Sequence, residues 1–210
     1  GPLTAAGKSQ ALRHEGVEQL VYAMEDLKRG AKIGLRGALV ADEGLLYMTK
    51  KMKEAGELPE DFVVKVSVQM GACNPVSVKI MEDLGAGTYN VPSSLTLAKL
   101  ASIRQAIDIP IDIYIEVPDN FGGFLRYYEI PEIIRTLAPV YIKFGLRNHP
   151  DVYPSGKQWE STNNSLVRER VRRAAIGIDI IKRYCPQVKT SELGVEGLGI
   201  AQEKKKKNVF

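Results

Sequence analysis

The stretch at residues 61–94, "DFVVKVSVQMGACNPVSVKIMEDLGAGTYNVPSS", decides how the chain is read. With a period of two, Val64, Val66 and Val68 point one way and Lys65, Ser67 and Gln69 the other. A helix is then predicted. Asn74 is a good N-cap, Pro75 suits the first helical position, and Val76, Ile80 and Leu84 recur at helical spacing until Gly85 ends the run. The following "GTYNVP" reads as another strand. A strand, a helix and a strand in succession make a βαβ unit, whose parallel strands are normally buried and apolar on both faces. This strand is apolar on one face only, so its polar side must face something other than bulk solvent.

The same alternation continues in both directions. "GALVAD" precedes the helical pattern "EGLLYMTKKMKEAG". "GTYNVP" precedes "SLTLAKLASIRQAI", for which Ser93 or Ser94 is the expected cap. "IDIYIEV" leads to "PEIIRTL", and "VYIKFG" leads through a long loop to "SLVRERVRRAAIGIDIIKRY". An amphipathic helix, "EGVEQLVYAMEDLKRG", comes before all of them. Its stripe is Val17, Leu20, Val21, Met24 and Leu27. Repeated βα units without a hairpin signal put the chain in the α/β class.

Each strand repeats the two-sided pattern. Ile111, Ile113 and Ile115 alternate with Asp112, Tyr114 and Glu116. Val140, Ile142 and Phe144 alternate with Tyr141 and Lys143, and Thr88 shares a side with Asn90. An open sheet with helices on both faces would strand Lys65, Asp112, Glu116 and Lys143 in apolar surroundings, at several kcal/mol for each unpaired charge. The expected fold is therefore a TIM-type (β/α) barrel or partial barrel, with parallel strands and a polar lumen. Residues 1–8 read as a tag scar or linker, residues 9–200 as one barrel-type domain incomplete on its N-terminal side, and residues 201–210 as a flexible basic tail.

Composition excludes other classes. No run approaches the ~20 apolar residues of a membrane-spanning helix. The net charge of +4 owes much to "EKKKK" at residues 203–207, so there is no strong nucleic-acid signal. The two cysteines, Cys73 and Cys185, form neither a disulfide framework nor a C-x-x-C ligand pair. A cytoplasmic protein without cofactor or metal is expected.

In a barrel of this kind the C-terminal strand ends and their loops form the active site. That assigns Asp42, Glu116 and Lys143 as candidate catalytic residues and Gln69, Asn90, Asn120, Arg147 and Tyr153 as candidate substrate contacts. Glu116 is suited to acid or base work, and Lys143 and Arg147 to holding an anion. Lys65, Ser67, Asp112 and Tyr141 are expected deeper, as an ion-pair layer. The polar loop "FGLRNHPDVYPSGKQWESTNN" would serve as a lid over the mouth.

The segment "ALVADEGLL" resembles the region after the fourth barrel strand of the collagenase-like peptidases, family thirty-two of the unassigned-mechanism peptidases. The run from "VKVSVQ" to "YIEV" is similar to that family's strand ending in Ser-x-Gln (Ser67 and Gln69), its Asn-capped helix (Asn74) and its strand ending in Glu. The resemblance covers residues 37–183 and implies strands four to eight of a barrel. After the strand ending at Glu116 the family has a His-Gly-Ala run and cysteines that bind an iron–sulfur cluster in several members. This chain has "PDNFGGFLRYYE" there, which implies no such cluster. At the family's Lys-Ile-Glu-Gly-Arg signature the chain reads "KFGLR", keeping Lys143 and Arg147 without the Glu. The function expected is acid–base chemistry on a small polar or peptide-like substrate. Alternatives are a Schiff-base lyase or aldolase using Lys143, or a non-catalytic subunit completing a barrel. Residues of the native protein preceding Gly1, a second copy or a different subunit are expected over the outer strand edges.

Overall fold

The computed structural model of the chain describes residues 10, 12–150 and 156–191. Tyr153, the expected tag scar or linker at residues 1–8, the glycine-rich run at residues 192–199 and the expected basic tail lie outside the described residues. Helix α1 (Gly16–Lys32) leads into β1 (Gly37–Val40), α2 (Glu43–Glu54), β2 (Val63–Val66), α3 (Pro75–Asp83) and β3 (Thr88–Val91). Then come α4 (Leu97–Ala106), β4 (Ile111–Glu116), α5 (Ile130–Leu137), β5 (Val140–Phe144) and α6 (Glu160–Tyr184).

The five strands form one sheet in the order β1-β2-β3-β4-β5, every pair parallel. A sequential order has no reversal point. Right-handed crossovers therefore carry the helices over the same face, and α3 packs on α4, α4 on α5 and α5 on α6. Val64, Val66, Tyr89, Val91, Ile111, Ile113 and Ile115 meet Leu46, Val78, Leu100, Ile103, Ile133 and Leu137 in a continuous core. The other face carries Lys65, Thr88, Asn90, Asp112, Tyr114, Tyr141 and Lys143, brought side by side by the parallel register. Among the described residues the alternation in the sequence thus reports a sheet with helices on one face.

Local chemistry sets the boundaries and corrects several expectations. β2 stops at Val66 because the Ser67 hydroxyl accepts from the Gln69 N–H at 3.2 Å, and Val68–Met70 form a 3-10 turn closed by Gly71 at φ 73°. Gln69 therefore leaves the strand alternation. In α3 two stripes share Leu84. The sheet takes the one through Val78 and Met81, leaving Val76 70% exposed. Asn74 does cap α3, accepting from the Ser77 N–H at 3.0 Å. The cap of α4 is Thr96 instead of a serine, because the Ser93 hydroxyl donates to the Tyr114 carbonyl at 3.0 Å and ties β3 to β4. Leu20, Met24 and Leu27 of α1 pack on the core, whereas Val17 and Val21 of the expected stripe are exposed. Among the described residues no helix is long and apolar enough to cross a membrane.

Candidate functional site

On the helix-free face, Lys65 Nζ stands 3.1 Å from Asp112 Oδ1 and 4.0 Å from the centre of the Tyr141 ring. Asp112 is only 3% exposed. Its second oxygen, Oδ2, is buried without a hydrogen-bond partner, as are Thr88 Oγ1 and the Tyr141 hydroxyl. One turn of the pleat further along β5, Lys143 Nζ lies 4.4 Å from the centre of the Tyr114 ring. With the Asn90 amide turned so that both its atoms are satisfied, Asn90 accepts from Lys143 Nζ and donates to the Asp112 carbonyl, each at 3.2 Å. Lys65 is thus paired with a carboxylate, whereas Lys143 is held by neutral groups.

Glu116 is held elsewhere. Unbroken register would set it opposite Gly145, on the same face as Lys143, but β4 carries a bulge after Tyr114 that brings Glu116 opposite Phe144. Its carboxylate, 1% exposed, accepts from the Tyr127 hydroxyl at 2.8 Å, from the Arg147 N–H at 3.1 Å and from Arg173 of α6 at 2.9 and 3.1 Å. The expected convergence of Glu116 with Lys143 is corrected accordingly. Gly145 makes the bulge possible: a Cβ there would lie 2.4 Å from the Glu116 carbonyl oxygen, which also accepts from the Gly145 N–H at 3.0 Å. Gly145→Ala is expected to lower stability by roughly 1–3 kcal/mol, since backbone must move to admit the methyl group. A urea midpoint equal to that of the parent chain would contradict this close approach.

The remaining candidates are spread over the strand ends. Asp42 caps α2, accepting from the Leu45 N–H at 2.6 Å and from the His14 N–H at 2.9 Å. Next to it Arg13 grips both oxygens of Glu43, at 2.7 and 3.0 Å, and holds that carboxyl below the usual range. Arg13 also donates to the Gln69 carbonyl at 3.3 Å. Asn120 is exposed in a 3-10 turn, and the Arg147 side chain pairs with Asp119 at 2.7 Å. Among the described residues no three His, Cys, Asp or Glu side chains come together as a metal ion would need. A groove of about 850 Å³ runs beside the start of α6, lined from Lys157 to Arg172 with no strand-end residue. Among the described residues the strand-face cluster holds three of the four buried side-chain atoms without a partner, the fourth being His149 Nε2, and the groove holds none of them.

Sequence reasoning missed Tyr127 and Arg173. Arg173 was legible as the cation four residues before Gly177, the position where α6 lies against Phe144. Burial and the neighbouring carboxylates push two phenols up to about 12, Tyr127 beside Glu116 and Tyr141 beside Asp112. Both folded values lie above the ordinary 10.0. Their contribution to stability is therefore fully present below pH 10 and is lost as pH rises toward about 12. Phenolate absorbance should show late-titrating tyrosines that return to the ordinary range in denaturant. Uniform titration near pH 10 in the folded chain would contradict their surroundings.

Residues 12–116, half of the chain, match the family described as Peptidase family U32. The match ends at the last residue of β4, so Tyr141, Lys143 and Arg173 lie beyond it. A solved U32 peptidase, Mk0906, is similar at 22% identity with a TM-score of 0.39, over 48% of this chain and 38% of that one. The chain thus spans well under half the length of that relative. No curated protein matches the sequence. On the strength of the family match, the chain belongs to peptidase family U32.

Proposed function

We propose that the helix-free face is the lumen of a (β/α) barrel or partial barrel, and that it applies acid–base chemistry to a small polar or peptide-like substrate. The observation that carries this reading is the set of buried oxygens without partners, Asp112 Oδ2, Thr88 Oγ1 and the Tyr141 hydroxyl, beside two lysine ammonium groups. Each such group costs about 1–3 kcal/mol when left unmatched, which suits a face whose partners arrive with a ligand. Lys65, partly exposed on its flexible stem, would swing aside from Asp112 as a ligand arrives.

In peptide hydrolysis Asp112 would take a proton from water as the water oxygen bonds to the carbonyl carbon. Tyr141, neutral up to about pH 12, would donate to the carbonyl oxygen as charge develops there. The carbon–nitrogen bond then breaks and the proton passes to the departing amine. Glu116 has both oxygens occupied and serves to hold α6, so the base role moves to Asp112. The Lys143 ammonium group rests 4.4 Å from the centre of the Tyr114 ring, a cation–π contact that suits an anchor for an anion.

The reading has the protein working in the cytoplasm, where its two free cysteines suit reducing conditions. Among the described residues β1 and β5 each pair on one side only, and Ile33, Leu35 and Leu39 are exposed near the β1 edge. That supports cover by a second copy or a different subunit. The test of function is release of new amines from short peptides, expected to saturate with peptide concentration. A chain that neither cleaves nor binds peptides at millimolar concentration would overturn the reading.

A further inference from the structure

We infer that the substrate group recognised on this face is a free carboxylate, the C-terminus of a short peptide, anchored by Lys143. The inference rests on the reading of the helix-free face as a peptide site. Its starting point is charge: across β1 to β5 this face presents Lys65, Lys143 and Asp112, so one positive charge remains unmatched. That charge belongs to Lys143, because Lys65 is the lysine paired with Asp112. The partners of Lys143 are the Tyr114 ring and the Asn90 amide oxygen, both neutral. An ammonium group has three donors. Asn90 takes one and the ring covers one side, leaving donor capacity and a full charge for an arriving anion.

Spacing makes a peptide end the fitting source of that anion. Lys143 lies two residues beyond Tyr141 on β5, and the register sets Tyr141 beside Asp112. Two residues of strand span roughly 6.6 Å, about the length of two residues of extended peptide. A terminal carboxylate on Lys143 therefore lays the last peptide bonds over Asp112 and the Tyr141 hydroxyl, the groups that await partners. Chain ends, and not internal segments, are the substrates this arrangement selects. Asn90 is a positioning residue here, fixing the ammonium group over the Tyr114 ring.

The experiment is calorimetric titration of the full chain with N-acetyl-trialanine, its C-terminal amide and N-acetylalanine. The free acid is expected to bind roughly 10-fold or more tightly than the amide, the loss typical of a charged hydrogen bond. Lys143→Met should erase the difference, and added salt should narrow it in the parent chain. Equal binding of acid and amide by the parent chain overturns the carboxylate anchor while the peptide reading stands, and this comparison needs no variant. Discrimination that survives in Lys143→Met also overturns it. N-acetylalanine binding as tightly as the tripeptide would point to a small carboxylic acid and remove the peptide end as the source. Failure of all three ligands to bind would sink the peptide reading itself.

Discussion

Asp112→Asn is expected to reduce peptide turnover by a factor on the order of 10²–10⁴, the contribution of a positioned general base, with the fold retained. Asparagine keeps the shape of aspartate, and its amide oxygen can still accept from Lys65, now 3.1 Å from Oδ1. It cannot take up a proton. Lys65 also keeps its contact with the Tyr141 ring, so the replacement does not leave an isolated ammonium group. Circular dichroism should match the parent chain, and peptide binding should change far less than turnover because Lys143 is untouched. Turnover within a few-fold of the parent would remove Asp112 from the chemistry.

Glu116→Ala should instead act on stability, by about 3 kcal/mol. Breaking a buried ion pair by removing one partner costs ~3–5 kcal/mol. The lower end applies here because the Arg173 side chain is about one-third exposed and water can replace part of what it loses. The substitution also strips acceptors from the Tyr127 hydroxyl and the Arg147 N–H, loosening α6 and the loop after β5 from the end of β4. For a chain of this size the expected fall in melting temperature is roughly 6–12 °C. Glu116→Gln should fall between parent and alanine, since it keeps two neutral hydrogen bonds and loses the charge. A full loss of turnover in Glu116→Gln at parent-like stability would return Glu116 to the catalytic group.

The face assignment was legible because parallel strands are apolar on both sides by default. Lys65 between Val64 and Val66, and Asp112 between Ile111 and Ile113, are costly exceptions that imply a face without helices. Alternation fails at Glu116 for a reason outside its own strand: the bulge depends on β5 and on the close approach of Gly145, which a period-two reading of β4 does not contain. Ser67 and Gly71 were visible turn signals that an extended valine pattern outweighed. Asp42, directly before "EGLL", has the position of a helix N-cap, and that local role fits its contacts better than a place in the lumen. The α3 stripe was ambiguous by geometry, since helical spacing allows Val76 and Ile80 as readily as Val78 and Met81 in nine residues.

The measurement that bears most directly on the helix-free face as the ligand site is NMR of the labelled chain titrated with N-acetyl-trialanine. Thr88, Asn90, Asp112, Tyr114, Tyr141 and Lys143 should shift together in a saturable manner, while Arg168 and its neighbours along the α6 groove stay still. Shifts confined to that groove, with the strand residues unmoved, would contradict the account.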